Sequence, residues 1–413
     1  MKKENHEQRL KELFLLQCVT QKITSILDPD ILLEEIVGDT LETFGYCRSA
    51  ILLKDEKTNE LEIAAVRGWT SNYHLKGERF KIGKYGITGH VAETGKTYYA
   101  PDVKKDPYYQ ISEESTSSEI DIPLNIHGNI IGVFNVQDQK LNAFSEERIQ
   151  LLEALANHIS IALDNARLFR KEKLEKERML TELNEARKIQ SLLIPKDPPV
   201  ISGFRISSFG LPCMEVGGDW YDFIQFKDGR LGIVLADVAG KGMGAALLMS
   251  STRSILRLIA DTTGSPCEVL RKVNEILIKD IPTTRFITMI YAVLDPKTRT
   301  LVFSNAGHLY PLHVTSTEIN FMETTSGMPL GITEDLFSEC EIKFSSQSSV
   351  ILYTDGVTEA MNSSFEEFGQ ERLKEHFKKP DASINTIVEE IKTFTGDNSL
   401  SDDLTMVIIE AGF

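Results

Sequence analysis

One helical pattern constrains this chain more than any other feature. It opens at Ser145 and runs to Ile194, where Pro195, Pro198 and Pro199 stop it. Ser145 followed by Glu146 and Glu147 makes a good start, since a short polar side chain caps free N–H groups and acids complement the helix dipole. Leu152, Leu155, Ile159, Ala162, Ala166 and Phe169 step 3-4-3-4-3 along it, which is coiled-coil spacing. The same register meets Lys173 and Lys176, then recovers at Leu180 and Leu183. Two readings stay open: a solvated connecting rod, or a parallel dimerisation stalk that passes a signal between domains. Either way the pattern divides the 413 residues into a unit over 1–165, a helical linker over 166–195 and a unit over 196–413.

Before the long helix the sequence reads as one α+β unit. An opening helix is expected over about 7–27 and a second over 30–44, separated at Asp28-Pro29, where proline disfavours helical geometry in the residue before it. SAILLKD (49–55) and LEIAAVRG (61–68) alternate in part as half-buried strands do, and GITGHVAETGK (86–96) reads as a short helix closed by glycine. DIPLNIHGNIIGVFNVQD (121–138) reads as a hairpin turning at His127-Gly128-Asn129. After the prolines, strand-like runs dominate: 231–237, 286–295, 301–307, 349–356 and 404–413, with helical patterns at 245–261, 266–280 and within 370–395. Many strands with a few interspersed helices predict an α+β sandwich, not a doubly wound sheet.

Charge and cysteine usage exclude several classes. The formal net charge of −16 argues against nucleic-acid or anionic-membrane binding, which needs basic patches. The one dense basic run, RKEKLEKER (170–178), alternates with Glu and reads as a solvated helix face. The five cysteines lie far apart with no C-x-x-C pair, so neither a disulfide framework nor structural zinc is expected; they read as small core residues. No apolar run approaches the roughly 18–20 residues of a membrane span, and MKKENHEQRLKELF lacks the apolar region of a signal peptide, so a cytoplasmic location is expected.

The chemistry concentrates in the second unit. Asp219 lies in EVGGDWYD, Asp237 ends LGIVLAD, Asp355 ends SVILYTD, and Asp402 and Asp403 open the last strand. A carboxylate that terminates an apolar strand sits on a rigid element yet reaches the rim where loops build sites. Several converging carboxylates repel unless cations neutralise them, and all-oxygen ligation suits hard ions such as Mg²⁺ or Mn²⁺. Two such ions could bind a phosphoryl group, acidify a bridging water and stabilise the departing oxygen, with no protein nucleophile. Each Asp taken alone reads equally as a turn residue beside glycine, so spacing by itself leaves convergence open. The glycine-rich turn after Asp237 lacks G-x-G-x-x-G spacing, which argues against a dinucleotide site; the glycines let the backbone pass closely.

GGDWYD, ADVAGKGMGAALLM, FITMIYAVLD, SNAGH, GMPLGI, YTDGVTEA and DDLTMVII occur in the order seen in PPM-type serine/threonine protein phosphatases, and resemble the bacterial SpoIIE/RsbU-like branch. The resemblance implies an αββα sandwich with a dinuclear Mn²⁺ or Mg²⁺ site between its sheets. It implies that Asp219 and Asp237 hold the ions, with the backbone carbonyl of Val238, where the family usually has Gly, as a further ligand. Asp355 and Asp402 match the remaining metal acids, and Asp403 is the weaker candidate. Asp222 reads as either an outer-sphere or a surface residue, His308 as a structural histidine ahead of a proton donor, and Lys241 as non-catalytic. The implied substrate is a phosphorylated regulatory protein, such as an anti-sigma-factor antagonist; a catalytically silent scaffold is the alternative.

Residues 1–165 resemble a GAF domain, through GITGHVAETGK, DIPLNIHGNIIGVFNVQD and FSEERIQLLEALANHISIALDNARLF. That implies a sensor that binds a small molecule or a module that only dimerises, and a homodimer is expected. No cyclic-nucleotide signature is intact, so the ligand is not readable. ARKIQSLLIPKDPP (186–199) resembles the linker helix that precedes this phosphatase class, a candidate two-state element able to complete the metal site.

Overall fold

The computed structural model describes residues 17–412 apart from 18, 24, 70–74, 85, 112, 283, 326, 397 and 399. Most of the expected opening helix, and Cys18, lie outside the described residues. The chain divides into two compact units, Met1–Arg178 and Met179–Phe413. No helix among the described residues is long and apolar enough to cross a membrane.

The first unit contains α1 (Pro29–Phe44), β1 (Arg48–Asp55), β2 (Glu60–Arg67), β3 (Arg79–Lys81), α2 (Gly86–Thr94), β4 (Tyr98–Ala100), β5 (Ser118–Ile126) and β6 (Asn129–Asp138), then the start of α3 (Glu146–Leu193). Its six strands form one antiparallel sheet in the order β3-β2-β1-β6-β5-β4. Helix α1 begins where expected because the Asp28 carboxylate accepts the N–H groups of Asp30 and Ile31, and Pro29 supplies a preset φ at the first turn. The β5–β6 turn is two residues, His127 and Gly128, both with positive φ, which matches the twist of the flanking strands.

Helix α3 corrects one expectation. Leu152, Leu155, Ile159, Ala162 and Ala166 are all buried in this unit's own core, against Ile36, Ile51 and Phe134. Their 3-4 stripe is therefore the inner face of a domain helix and not a seam for a partner. Burial of Leu152, Leu155 and Ile159 is worth about 1.5–3 kcal/mol each, enough to fix which face turns inward. Beyond Ala166 the helix is exposed from 167 to 182, and the alternating Lys/Glu run is solvated as its composition demands.

The second unit contains β7 (Phe204–Leu211), β8 (Trp220–Gln225), β9 (Leu231–Val238), α4 (Met243–Ala260), α5 (Pro266–Asp280), β10 (Ile287–Asp295), β11 (Thr300–Ala306), β12 (Leu312–Val314), β13 (Ile319–Phe321), β14 (Cys340–Lys343), β15 (Ser349–Tyr353), α6 (Asp355–Thr358), α7 (Gly369–Phe377), α8 (Ile384–Thr395) and β16 (Leu404–Ala411). Two five-stranded antiparallel sheets form, β14-β11-β10-β9-β8 and β13-β12-β15-β16-β7. Ile233, Leu235, Ile290, Phe303, Leu352 and Val407 fill the space between them. Helices α4 and α5 cover the outer face of the first sheet through Met249, Leu256, Val269 and Val273. Helices α7 and α8 cover the second through Leu373, Phe377, Ile387 and Ile391. The result is an αββα sandwich, as the mixture of strands and helices predicts.

The cysteines correct a smaller expectation. Cys47, Cys213, Cys267 and Cys340 are free, as expected, but only half-buried, so they are not core residues.

Candidate functional site

The strand pattern delivers the acids to one end of the sandwich. Asp237 is the penultimate residue of β9, and the β8–β9 register, Trp220 opposite Ala236, carries Asp219 to the position opposite Asp237. Asp355 opens the single turn α6 directly after β15, and Asp402 lies just before β16, the partner of β15 in the other sheet. Asp237, Asp355 and Asp402 line a common cavity of about 410 Å³ with Gly240, Thr288, His308 and Glu359. Asp219 is buried behind Asp237, and its Oδ2 finds no hydrogen-bond donor.

These carboxylates raise one another's proton affinity. Desolvation, then the charge of Asp237, holds Asp219 well above the usual carboxylate range. Desolvation and Asp355 push Asp237 up to about 7, although Asp219 is close enough to share a proton with it. Asp355 is raised by burial and then by Asp402. Lys241 stands at the edge of this set: its ammonium lies 2.9 Å from Asp402 Oδ2 and also bonds the Ser401 carbonyl. A cluster this acidic, built only from oxygen and carrying a buried orphaned carboxylate oxygen, fits hard divalent cations.

Asp403 does different work. Its Oδ1 accepts the Cys213 N–H at 2.8 Å, and its Oδ2 accepts those of Gly218 at 2.7 Å and Asp219 at 3.3 Å. Both oxygens are thus spent on the loop that carries Asp219. A Cβ on Gly217 would stand 2.3 Å from Asp403 Oδ2, which explains the first glycine of GGDWYD. Cys213, Asp402 and Asp403 also have ligand atoms within 4.8 Å of one another. The Cys213 thiol is pushed up to about 11 by burial and then by Asp403, so it stays protonated and is a poor ligand. The cavity cluster is the better candidate for that reason.

The remaining residues separate cleanly. His308 is buried, with Nδ1 at 2.7 Å from the Thr288 hydroxyl and Nε2 at 3.1 Å from the Tyr353 carbonyl. Burial lowers it to about 4, so at neutral pH Nε2–H donates to that carbonyl and no proton is left for a substrate. Asp222 is fully buried and accepts two bonds from Arg257, at 2.6 and 2.7 Å, with Arg253 at 3.0 Å; it is an interior ion cluster and not a surface group. Val238, the residue after Asp237, is buried, with its carbonyl turned toward Gly218. Gly240 and Gly242 take φ of 97° and 75°, a left-handed geometry that carries the chain from β9 into α4.

Sequence reasoning missed two contributors. Glu359 lines the cavity one helical turn after Asp355, a spacing visible in YTDGVTEA. Gln190, near the end of α3, is buried, donates to the Gly217 carbonyl at 2.7 Å and accepts the Gly217 N–H at 3.1 Å. No local signal announces it, because neighbouring Ile189 is 65% exposed while Gln190 is 9% exposed, the reverse of what polarity suggests.

Comparison with known proteins agrees with this fold. The profile of the Stage II sporulation protein E (SpoIIE) family matches residues 227–412, and that of the GAF domain matches residues 27–164. The chain is 26% identical over 235 residues to phosphoserine phosphatase RsbU of Bacillus subtilis, covering 55% of this chain and 70% of that protein. It is 29% identical over 217 residues to phosphoserine phosphatase RsbP of the same organism, covering 51% of this chain but only 52% of that one. In fold it resembles the SiaA-PP2C domain of Pseudomonas aeruginosa, with a TM-score of 0.52 at 17% identity over 57% of this chain and 98% of that domain. The chain thus carries a SpoIIE-type phosphatase domain, matched over residues 227–412, behind a GAF domain, matched over residues 27–164.

Proposed function

We propose that this protein hydrolyses phosphoserine or phosphothreonine on a regulatory partner protein, with Asp219, Asp237, Asp355 and Asp402 holding Mn²⁺ or Mg²⁺. The observation that carries the reading is the convergence of carboxylates from both sheets on one cavity, with Asp219 Oδ2 buried and without a donor. Divalent ions there would supply Lewis-acid polarisation of the phosphoryl group and a water acidic enough to attack it at neutral pH. The chain's own part is positional. Asp403 fixes the loop under Asp219, Lys241 offsets one charge at the rim, and neutral His308 braces β10 against β15 without donating a proton. An anti-sigma-factor antagonist is the substrate class that the sequence resemblance implies.

In this reading residues 1–165 form the sensor, 166–195 the link and 196–413 the catalytic domain. The amide of Gln190 on α3 clamps Gly217, two residues from Asp219. A shift of that helix would release the loop, which gives the sensor a handle on metal affinity. The expected dimer would then act through the exposed half of α3.

The test is Mn²⁺- or Mg²⁺-dependent hydrolysis of p-nitrophenyl phosphate by the full chain and by Asp355→Ala and Asp402→Asn. Loss of about a hundredfold or more is expected in each variant, since even outer partners of metal ligands are worth about 10–100-fold. Metal-independent turnover, or full activity in both variants, would overturn the proposal. Metal binding without any turnover would favour the silent scaffold.

A further inference from the structure

A groove of about 610 Å³ opens in the first unit where the end of its sheet meets α3. Leu53, Ile126, Ile131 and Leu163 floor it, with the exposed Leu174 at its far edge. Leu163, Arg167, Arg170 and Leu174 step 4-3-4 along α3, so a single face of that helix forms one wall. Leu53 and Ile131 pack toward the core that α1 and α3 share, whereas Leu52 turns to the face covered by Ile87 and Val91 of α2. The groove therefore lies on the opposite side of the sheet from α2.

The charge around this apolar floor runs against that of the chain. Lys54, Arg167, Arg170 and Lys171 line the groove against two acids, Glu56 and Asp164, in a protein of formal net charge −16. Arg170 meets Asp30 at 3.6 Å and Lys171 meets Glu175 at 3.9 Å, both exposed pairs of small value. Lys54 and Arg167 make no ion pair among the described residues. An occupant that covers the apolar floor and also neutralises these two cations must join a carbon body to an anionic head. A volume of about 610 Å³ falls among the pockets of about 300–1,000 Å³ that hold single small ligands. The planar guanidinium of Arg167 matches a carboxylate through two parallel hydrogen bonds. An anionic bilayer offers related chemistry, but a net charge of −16 repels the chain as a whole from such a surface.

We propose that this groove binds a free medium-chain carboxylate. Its head is drawn to the Arg167 and Lys54 cations, and its alkyl chain covers Leu53, Ile131 and Leu163. The site lies in the other unit from the phosphatase carboxylates and does not rest on their function.

Calorimetric titration of the full-length protein with hexanoate, octanoate, decanoate and 1-octanol, all below micellar concentration, tests it. Octanoate is expected to bind about tenfold or more tightly than 1-octanol, the value of hydrogen bonds to a charged group. Affinity should rise about fourfold with each added methylene, the value of one buried CH₂. The pair Lys54→Gln and Arg167→Gln should erase the preference for acid over alcohol and keep the chain-length increment, with circular dichroism unchanged. Leu174→Ser, at a side chain 59% exposed, should do the reverse, shrinking the increment while the preference for acid remains, and it tests the groove even if the double variant does not fold. Equal affinity for octanoate and 1-octanol overturns the proposal, as does a preference that survives the double variant or an affinity independent of chain length. Binding to phosphatidylglycerol vesicles without binding of monomeric decanoate overturns it in favour of a membrane surface. A dimer in sedimentation that Leu174→Ser dissociates and decanoate leaves intact overturns it in favour of a contact between two copies of the chain.

Discussion

The two units bury acids in different ways, and the difference says what each set is for. In the phosphatase unit the carboxylates stand at strand ends on the rim of an open cavity, drawn from both sheets, with Lys241 at the edge. In the GAF unit Glu119 and Asp121 sit in mid-strand, under aromatic and aliphatic walls, tied together by a single amide. Converging oxygens at a hydrated rim suit small hard ions that keep some of their water. Two mid-strand carboxylates beneath an apolar roof instead hold a proton between them. A third buried acid, Asp222, calibrates both: two arginines neutralise it completely within the fold, so it has no use for a ligand.

The largest break in this comparison would come from Asp237→Asn. Activity should fall by about a hundredfold or more, while the metal-free protein, relieved of one mutually repelling carboxylate, should melt at a higher temperature in chelator. An unchanged or lower melting temperature would mean that the acids do not strain the fold. Arg257→Ala should do the opposite, uncovering part of the Asp222 charge. Removing one partner of a buried pair costs about 3–5 kcal/mol, and the surviving Arg253 should hold the loss to about 2–3 kcal/mol in denaturant midpoint.

Gln190→Ala should raise the metal concentration for half-maximal activity by about tenfold and leave the saturated rate nearly intact, because the glutamine orders the loop and does not touch substrate. A fall in the saturated rate at unchanged metal affinity would remove the helix from the control of the site.

The smallest expected effect is on pH. A carboxylate whose folded pKa lies above its unfolded value binds more protons when folded, so stability declines as pH rises between the two values. For Asp121 that window runs from the ordinary 3.8 to about 6, with the raised Glu119 extending it upward. Hydrogen exchange of β5 and β6 should therefore show faster opening at pH 7 than at pH 4.5. Protection that grows with pH would show that the pair is neutralised by some other route.

Much of the architecture could be read from the chain because it is set by near neighbours. Asp28-Pro29 dictates a helix start, His127-Gly128 dictates a two-residue turn, partial alternation marks β1 and β2, and near-continuous apolar runs mark β9, β10 and β16. The identities of the strand-end acids follow from the same local rules. The short strands β3, β4, β12, β13 and β14 escaped notice, since three or four residues carry too little periodicity to register.

What remained was decided by contacts between distant parts of the sequence. Asp402 and Asp403 are adjacent and chemically identical, and only the arrival of the Gly218 N–H, 185 residues away, turns Asp403 into a loop anchor. The apolar stripe of α3 has the spacing of a coiled coil, but the sheet of its own unit reaches it first. Ile189 and Gln190 exchange their usual places because Gly217 offers the amide two hydrogen bonds. Sequence by itself determined which groups can carry charge and where the backbone must turn, since those depend on covalent neighbours. Tertiary structure alone decided which charges meet an arginine, a backbone N–H or nothing, because partner choice depends on packing that no local pattern records.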